Sequence, residues 1–411
     1  MSTAPDHATA GRRRSSPRPG FDPLDPEIMR DPYPTYERLR AAGPLCRVGP
    51  ASWGVTRHAD VAALLRDPRL SNSLPENDPQ FATQDGVAST VFDRIIPTQD
   101  PDGHGLLHEL MVRAFSPGVA RATRPYIDGL LDAVMERARA SGRLDAVADL
   151  AFPVAASVVC KLIGMPPETH RDIWPRVPGL SKAFTPFLPE ADRSGADAAL
   201  VWLRSTVADL LEQRRAQPES DLLSSMLAEV AKDGSGLTVE AVIDNLAFLC
   251  FTGFETTMNM VATGCAALAR EPEHLARLRA DPQLVPTAVE EFIRFDAPIQ
   301  YTARLASEPI QVGERTIRPG RPVFLLLGCA NHDEAVFAEP DRIDIGRSPN
   351  PHVGFGGGVR GCFGVALARV EGAAVFSRLA AEFTDIQPAG EFERLPSALF
   401  RTYRSVPMAV R

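Results

Sequence analysis

Between residues 34 and 300 the apolar positions recur every three to four residues, and prolines at 97, 101, 117, 153, 166 and 167 punctuate the pattern. A succession of helices is predicted for that stretch. One is unusually long: from Val239 to about Ala269 no proline interrupts the run, and Pro272 closes it. At ~1.5 Å per residue it would span ~45 Å, the width of a whole domain. Thr238 is placed to cap it, with Leu237 and Val242 at the positions of a hydrophobic staple. The segment is apolar nearly all round from Ile243 to Phe254, so it should run through the interior. After Pro298 the texture changes, and RLASEPIQVGERTIRPGRPVFLLLG alternates short β-type runs with Gly and Pro turns. A last helix is predicted from Phe363 to about Glu382. The fold class is therefore mainly α with a small β region.

At roughly 150 residues per domain, 411 residues would make two or three domains, but no repeat and no Gly/Ser linker divides the chain. Residues 21–411 are expected to form one domain behind a disordered tail, residues 1–20. That tail carries Arg12, Arg13, Arg14 and Arg18 but lacks the apolar core of a secretory signal. The longest apolar stretches, near 246–254 and 323–327, fall short of the ~20 residues of a spanning helix, so no membrane association is expected. The charge sum, 44 − 52 = −8, offers no broad attraction to nucleic-acid phosphates or anionic lipid. Nearly all the cationic charge is arginine, lysine occurring only at 161, 182 and 232, which fits a GC-rich bacterial genome. Six cysteines, at 46, 160, 250, 265, 329 and 362, include no C-x-x-C pair. That argues against a disulfide framework or zinc site and for a reduced, cytoplasmic setting.

The densest chemical signal is FGGGVRGCFG at 355–364, which satisfies F-x-x-G-x-R-x-C-x-G with Phe355, Gly358, Arg360, Cys362 and Gly364. Glycines let backbone approach a flat macrocycle. A cysteine at a helix N-terminus is held as thiolate by the dipole and nearby N–H groups, and the same donors tune an iron potential. A buried structural cysteine is the plainer alternative, against which the surrounding glycines and arginine weigh.

On these residues the chain resembles the cytochrome P450 family, heme-thiolate monooxygenases, in its soluble bacterial form. EEFIR supplies Glu291 and Arg294 one turn apart and EPDRID supplies Arg342. The resemblance implies that the three form a structural ion-pair cluster, where alone they would read as surface charges. FTGFETT resembles the family's A-G-x-E-T-T oxygen-binding stretch, with Gly253, Glu255, Thr256 and Thr257 in register. Gly253 would permit close approach and loosen the helix, and a mid-helix threonine can bond the carbonyl four residues back. Thr256 is implied to hydrogen-bond the oxygen being activated, and Glu255 to relay protons from solvent, with a structural salt bridge as its competing role. Thr252 stands where the family has Ala, one turn before Thr256 on the same face, and would contact substrate or else add a hydroxyl to the water network. Phe363 stands where the family has Leu and would shield the thiolate, with plain core packing as the competing role.

The implied cofactor is heme b, with Cys362 as the iron ligand and Gly253, Phe355, Gly358 and Gly364 around it. Its propionates need cationic or hydrogen-bonding partners, which by resemblance are His104, Arg304, His352 and Arg360. DPDGHGLLHEL departs from the family pattern, since Leu106 and His108 replace two arginines, which would make His108 a weaker, pH-dependent anchor. Substrate contacts are implied at Phe248, Leu249 and Thr252, at Ile299, Gln300 and Tyr301, and at Leu399 and Phe400. The proline-rich stretch 175–189 reads as a mobile cover.

The implied reaction inserts one atom of O2 into a hydrophobic small molecule, by hydroxylation or epoxidation, in tailoring a polyketide, terpenoid or peptide-like secondary metabolite, free or carried on a carrier protein. Electrons would come from a ferredoxin and its NAD(P)H-dependent reductase, and the protein would be a monomer. Two other readings stay open. One is a heme-thiolate enzyme of peroxide-driven or ring-coupling chemistry, against which Glu255 and Thr256 argue. The other is a non-catalytic family member that recruits partners, against which Cys362, Arg360 and Gly358 argue.

Overall fold

The computed structural model describes residues 19–49, 51–72, 86–99, 101–185, 189–232, 234 and 236–411. Residues 1–18 of the expected tail and 186–188 of the expected cover lie outside them, as do the side chains of 101–104, His104 included. Gly20, assigned to the tail, already bridges Arg47.

The helices that frame the site are α1 (Tyr33–Ala42), α2 (Pro101–Ala114), α3 (Phe152–Ile163), α4 (Val177–Ala183), α5 (Glu190–Ala216), α6 (Val239–Arg270), α7 (Val285–Phe295) and α8 (Val365–Glu382). A five-stranded sheet stands beside them, built from β1 (Leu45–Val48), β2 (Ser52–Val55), β3 (Leu70–Ser71), β4 (Thr302–Ala306) and β5 (Pro322–Leu325) in the order β1-β2-β5-β4-β3. The β2–β5 pairing is parallel, and the rest are antiparallel. In β4 the alternation of the strand puts Thr302 and Arg304 on one face, and that face turns toward the helices.

α6 is the axis of the fold. Thr238 caps it by accepting from the Ala241 N–H at 3.1 Å, and the helix ends at Arg270, two residues before Pro272. Its apolar circumference is covered on several sides, and from Cys250 to Ala269 nearly every residue is buried. Gly264 explains how close α7 and α8 come. A Cβ there would lie 2.2 Å from Phe376 Cζ and 2.6 Å from Phe292 Cδ2, so glycine is needed for the contact. α8 begins at Val365 with Gly364 at its N-cap, two residues later than expected.

One apolar helix was hidden by a proline. The run Ala146–Ile163 is continuous, a π turn leading into α3, and by length and composition it could cross a membrane. Pro153, read as a break, sits in the first turn of α3, where the hydrogen bonding changes from the π to the α pattern and one missing N–H is tolerated. Most of this run is buried inside the fold, as the core helix of a globular protein is.

Candidate active site

α7 fixes the cysteine loop. Arg294 donates from Nε to Glu291 Oε2 at 2.8 Å and from a terminal nitrogen to Oε1 at 2.9 Å, with both side chains fully buried. The third member of the cluster is Arg347, whose Nε donates to Glu291 Oε2 at 3.0 Å; Asn350 adds a bond to the same oxygen at 3.1 Å. Arg342 does not take part through its side chain, which is 72% exposed beside Glu339. The chain turns only its backbone carbonyl inward, and Arg294 donates to it at 3.2 Å. The loop beyond is tied by Val353 N–H to Asn331 Oδ1 at 2.8 Å and folds back so that Cys362 N–H reaches the Phe355 carbonyl at 3.0 Å. Gly356 and Gly358 sit at φ +69° and +66°, and a Cβ at Gly358 would press 3.0 Å from the Leu65 carbonyl oxygen. Both features demand glycine. The loop delivers Cys362 to the wall of a cavity of about 320 Å³ between α6, α8 and β4, while the other five cysteines are buried elsewhere.

The opposite wall is α6. Thr252 Oγ1 donates to the Phe248 carbonyl at 2.9 Å and Thr256 Oγ1 to the Thr252 carbonyl at 2.9 Å, so two hydroxyls four residues apart line one face. Each proton is engaged by the helix, which leaves oxygen lone pairs toward the cavity. Gly253 is also on this wall, but its lack of a side chain serves the other neighbour. A Cβ there would sit 2.5 Å from Val159 Cγ2 of α3, so the glycine admits α3, and α6 stays helical throughout.

Glu255 turns away from the cavity and from solvent. Thr402 donates to its Oε1, Asn259 donates to the same atom at 3.4 Å, and Oε2 has no hydrogen-bond partner among the described residues. Its partners among those residues are neutral, so no salt bridge forms there. Burial raises its carboxyl from the ordinary 4.5 to about 7, against the hydrogen bonds of Thr402 and Asn259 and the nearby Ser181 hydroxyl of α4.

Of the expected substrate contacts, Phe248, Leu249, Thr252, Ile299 and Tyr301 lie on the cavity wall. Gln300, Leu399 and Phe400 do not. Strand-like alternation sends Gln300 the other way, where Nε2 donates to the Ala297 carbonyl at 2.7 Å beneath Gly328. Leu399 offers its carbonyl to Gln300 N–H at 2.8 Å, and Phe400 sets its edge against Phe251. Met260, Ile96, Pro97 and Phe115, which sequence reasoning did not select, do line the cavity.

The residues fit a flat dianionic macrocycle with an iron to be ligated. Cys362 is the only thiol on the wall, and while burial raises its pKa, the N–H groups of Gly364 and Val365 act in the opposite sense. Arg304 and Arg360 both face the cavity. Arg304 is buried, it donates to Thr302 and to the Ala303 carbonyl among the described residues, and burial together with the Arg360 charge pulls its pKa down to about 10. Two neighbouring cations in a low-dielectric wall call for the carboxylates that heme propionates would supply. Phe355 and Gly364 also line the cavity. His352 does not: its imidazole pairs with Glu290 of α7 at 3.2 Å. Burial raises Glu290, but His352 and Arg369 outweigh it and hold it at about 2. His108 likewise stands behind the wall, with its ring edge-on to Phe363 at 5.2 Å.

Known proteins agree with this geometry. The family described as Cytochrome P450 matches residues 173–396. The chain is 35% identical to nocardicin C N-oxygenase of Nocardia uniformis subsp. tsuyamanensis over 91% of this chain and 94% of that protein. It is 33% identical to vitamin D(3) 25-hydroxylase of Pseudonocardia autotrophica over 93% and 94%. Its fold superposes with a TM-score of 0.85 on P450BioI in complex with an acyl carrier protein ligated to hexadec-9Z-enoic acid, at 32% identity and covering 94% of this chain and 100% of that one. A thiol loop, a threonine-bearing axial helix and paired arginines on one cavity thus coincide with homology along nearly the whole chain: the protein belongs to the cytochrome P450 family, monooxygenases that carry heme b on a cysteine thiolate.

Proposed function

We propose that this protein hydroxylates or epoxidises a hydrophobic secondary metabolite, a polyketide, terpenoid or peptide-like scaffold. The observation that carries the reading is the wall opposite Cys362, where Phe248, Leu249 and Ile299 leave few polar groups for a ligand to satisfy. The relatives named above oxidise a nocardicin and vitamin D3, and one structural relative holds its fatty chain on an acyl carrier protein, so a carrier-tethered substrate is included. Ferredoxin and an NAD(P)H-dependent reductase are the proposed electron donors.

When bound, thiolate-ligated heme supplies the activation of O2 and the transfer of one oxygen atom. Cys362 Sγ would hold the iron, with Gly364 and Val365 N–H groups stabilising its charge. Arg304 and Arg360 would bind the propionates. Thr252 and Thr256 offer hydroxyl oxygens at the reacting face, and Thr256 Oγ1 would donate its proton there by leaving the Thr252 carbonyl, a water then returning one to it. Glu255 holds a proton near neutrality, and delivering it requires the side chain to leave Thr402 and Asn259. Phe248, Leu249, Ile299 and Tyr301 orient the substrate.

The reading is tested with the heme-loaded protein and a library of macrolides, terpenes, cyclic peptides and small polar compounds. Some apolar members should shift the iron from low to high spin, and Thr256→Ala should then lower product formed per electron consumed. Spin shifts confined to small polar compounds would overturn the substrate class, and unchanged coupling in Thr256→Ala would overturn the proton assignment.

A further inference from the structure

Behind the cavity, α6 carries two polar residues that the chemistry above does not use. Asp244 and Asn245 are both fully buried in the first turns of the helix, among apolar neighbours. Asn245 is used at both ends: its Oδ1 accepts from Ile96 N–H at 2.8 Å, and its Nδ2 donates to the Arg94 carbonyl at 2.8 Å and to the Ala241 carbonyl at 2.8 Å. It grips the backbone of 94–96 as a neighbouring strand would. Asp244 receives Arg94 on Oδ2 at 3.0 Å and Arg204 of α5 on Oδ1 at 2.6 Å. One buried carboxylate thereby joins three segments, and removing either cation alters how the third is held.

The gripped segment is itself the wall, since Ile96 and Pro97 line the cavity. From the other side Arg360 donates to the carbonyls of Ile96 at 3.2 Å, Pro97 at 3.4 Å and Gln99 at 2.7 Å. The wall is thus suspended between the cysteine loop and the first turns of α6. We infer that Asp244 and Asn245 are positioning residues that set the width of the substrate cavity by fixing Ile96 and Pro97, and that through Arg204 they couple this wall to α5. They touch neither substrate nor heme and act through the wall, as a supporting layer does for a binding site. The inference rests on the cavity being the substrate site.

The test uses the heme-loaded protein and two iron-binding azoles read by the Soret shift: imidazole, which needs little room, and miconazole, a far larger apolar ligand that needs the width of the cavity. Arg94→Gln, at a half-exposed position, and Asn245→Ala should each change miconazole affinity by about fivefold or more, corresponding to ~1 kcal/mol, while leaving imidazole within about twofold. Arg94→Lys should restore the miconazole value. Hydrogen exchange at the Ile96 amide should quicken in Asn245→Ala while amides in the middle of α6 keep their protection. Equal changes for both azoles, or none for either in folded Arg94→Gln, would overturn the inference. Absence of any azole shift in the unmutated protein would overturn the cavity reading itself, and the inference with it.

Discussion

Replacing Glu255 with Gln isolates the cost of its buried carboxyl. The amide keeps an oxygen for Thr402 and Asn259 but cannot ionise. In the folded protein burial raises the group from 4.5 to about 7, a gap of about 2.5 pH units at about 1.4 kcal/mol each, or ~3 kcal/mol in all. The sign follows from proton binding: between the two values the folded state holds a proton that the unfolded chain has released, so stability falls as pH rises from 4.5 to 7 and is flat above. The variant escapes that loss. Urea unfolding of both heme-loaded proteins from about pH 5 to pH 8 should show Glu255→Gln gaining about 2–3 kcal/mol on the parent across the range, with equal slopes in urea. A pH-independent difference, or a parent that gains on the variant as pH rises, would mean that Glu255 is ionised and paired in the native protein, and the environment described for it would be wrong.

Gly253→Ala should cost about 1–2 kcal/mol, because the new Cβ meets Val159 Cγ2 and overpacking outweighs the helix-propensity gain. Placed in a Val159→Ala background, the same change should become neutral or stabilising, and an equal cost in both backgrounds would remove α3 as the reason for the glycine. Arg347→Gln should destabilise by about 3 kcal/mol and lower heme content, since it strips a partner from buried Glu291, whereas exposed Arg342→Gln should stay within about 0.5 kcal/mol. Arg304→Gln should speed heme transfer to apomyoglobin by about ten- to a hundredfold, the loss of one charge-assisted bond worth ~1.5–3 kcal/mol. An unchanged transfer rate would take Arg304 out of propionate binding.

The sequence discloses α6 because its run is long, uninterrupted and capped by Thr238, and it discloses the cysteine loop because Gly356 and Gly358 occupy backbone that other residues resist. What it hides depends on which way a side chain leaves an irregular segment. Arg342 and Arg347 share one loop, and only the path of the chain decides which guanidinium meets Glu291. His352 is drawn off the cavity by Glu290, a partner 62 residues away, and Gln300 by the alternation of an extended strand end. Asp244 and Asn245 did leave a trace, as two polar residues inside an apolar stripe, but their partners Arg94 and Ile96 are about 150 residues distant and carry no pattern.

The central claim is that Cys362, held by its glycine loop opposite Thr256, is the thiolate ligand of a heme. The most direct measurement is the carbon monoxide difference spectrum of the reduced, heme-loaded protein beside that of Cys362→Ser, with folding of both checked by circular dichroism. The parent should show the red-shifted Soret band that a thiolate ligand produces, and the folded serine variant should lack it. A parent without the band, or a serine variant that keeps it, would contradict the assignment.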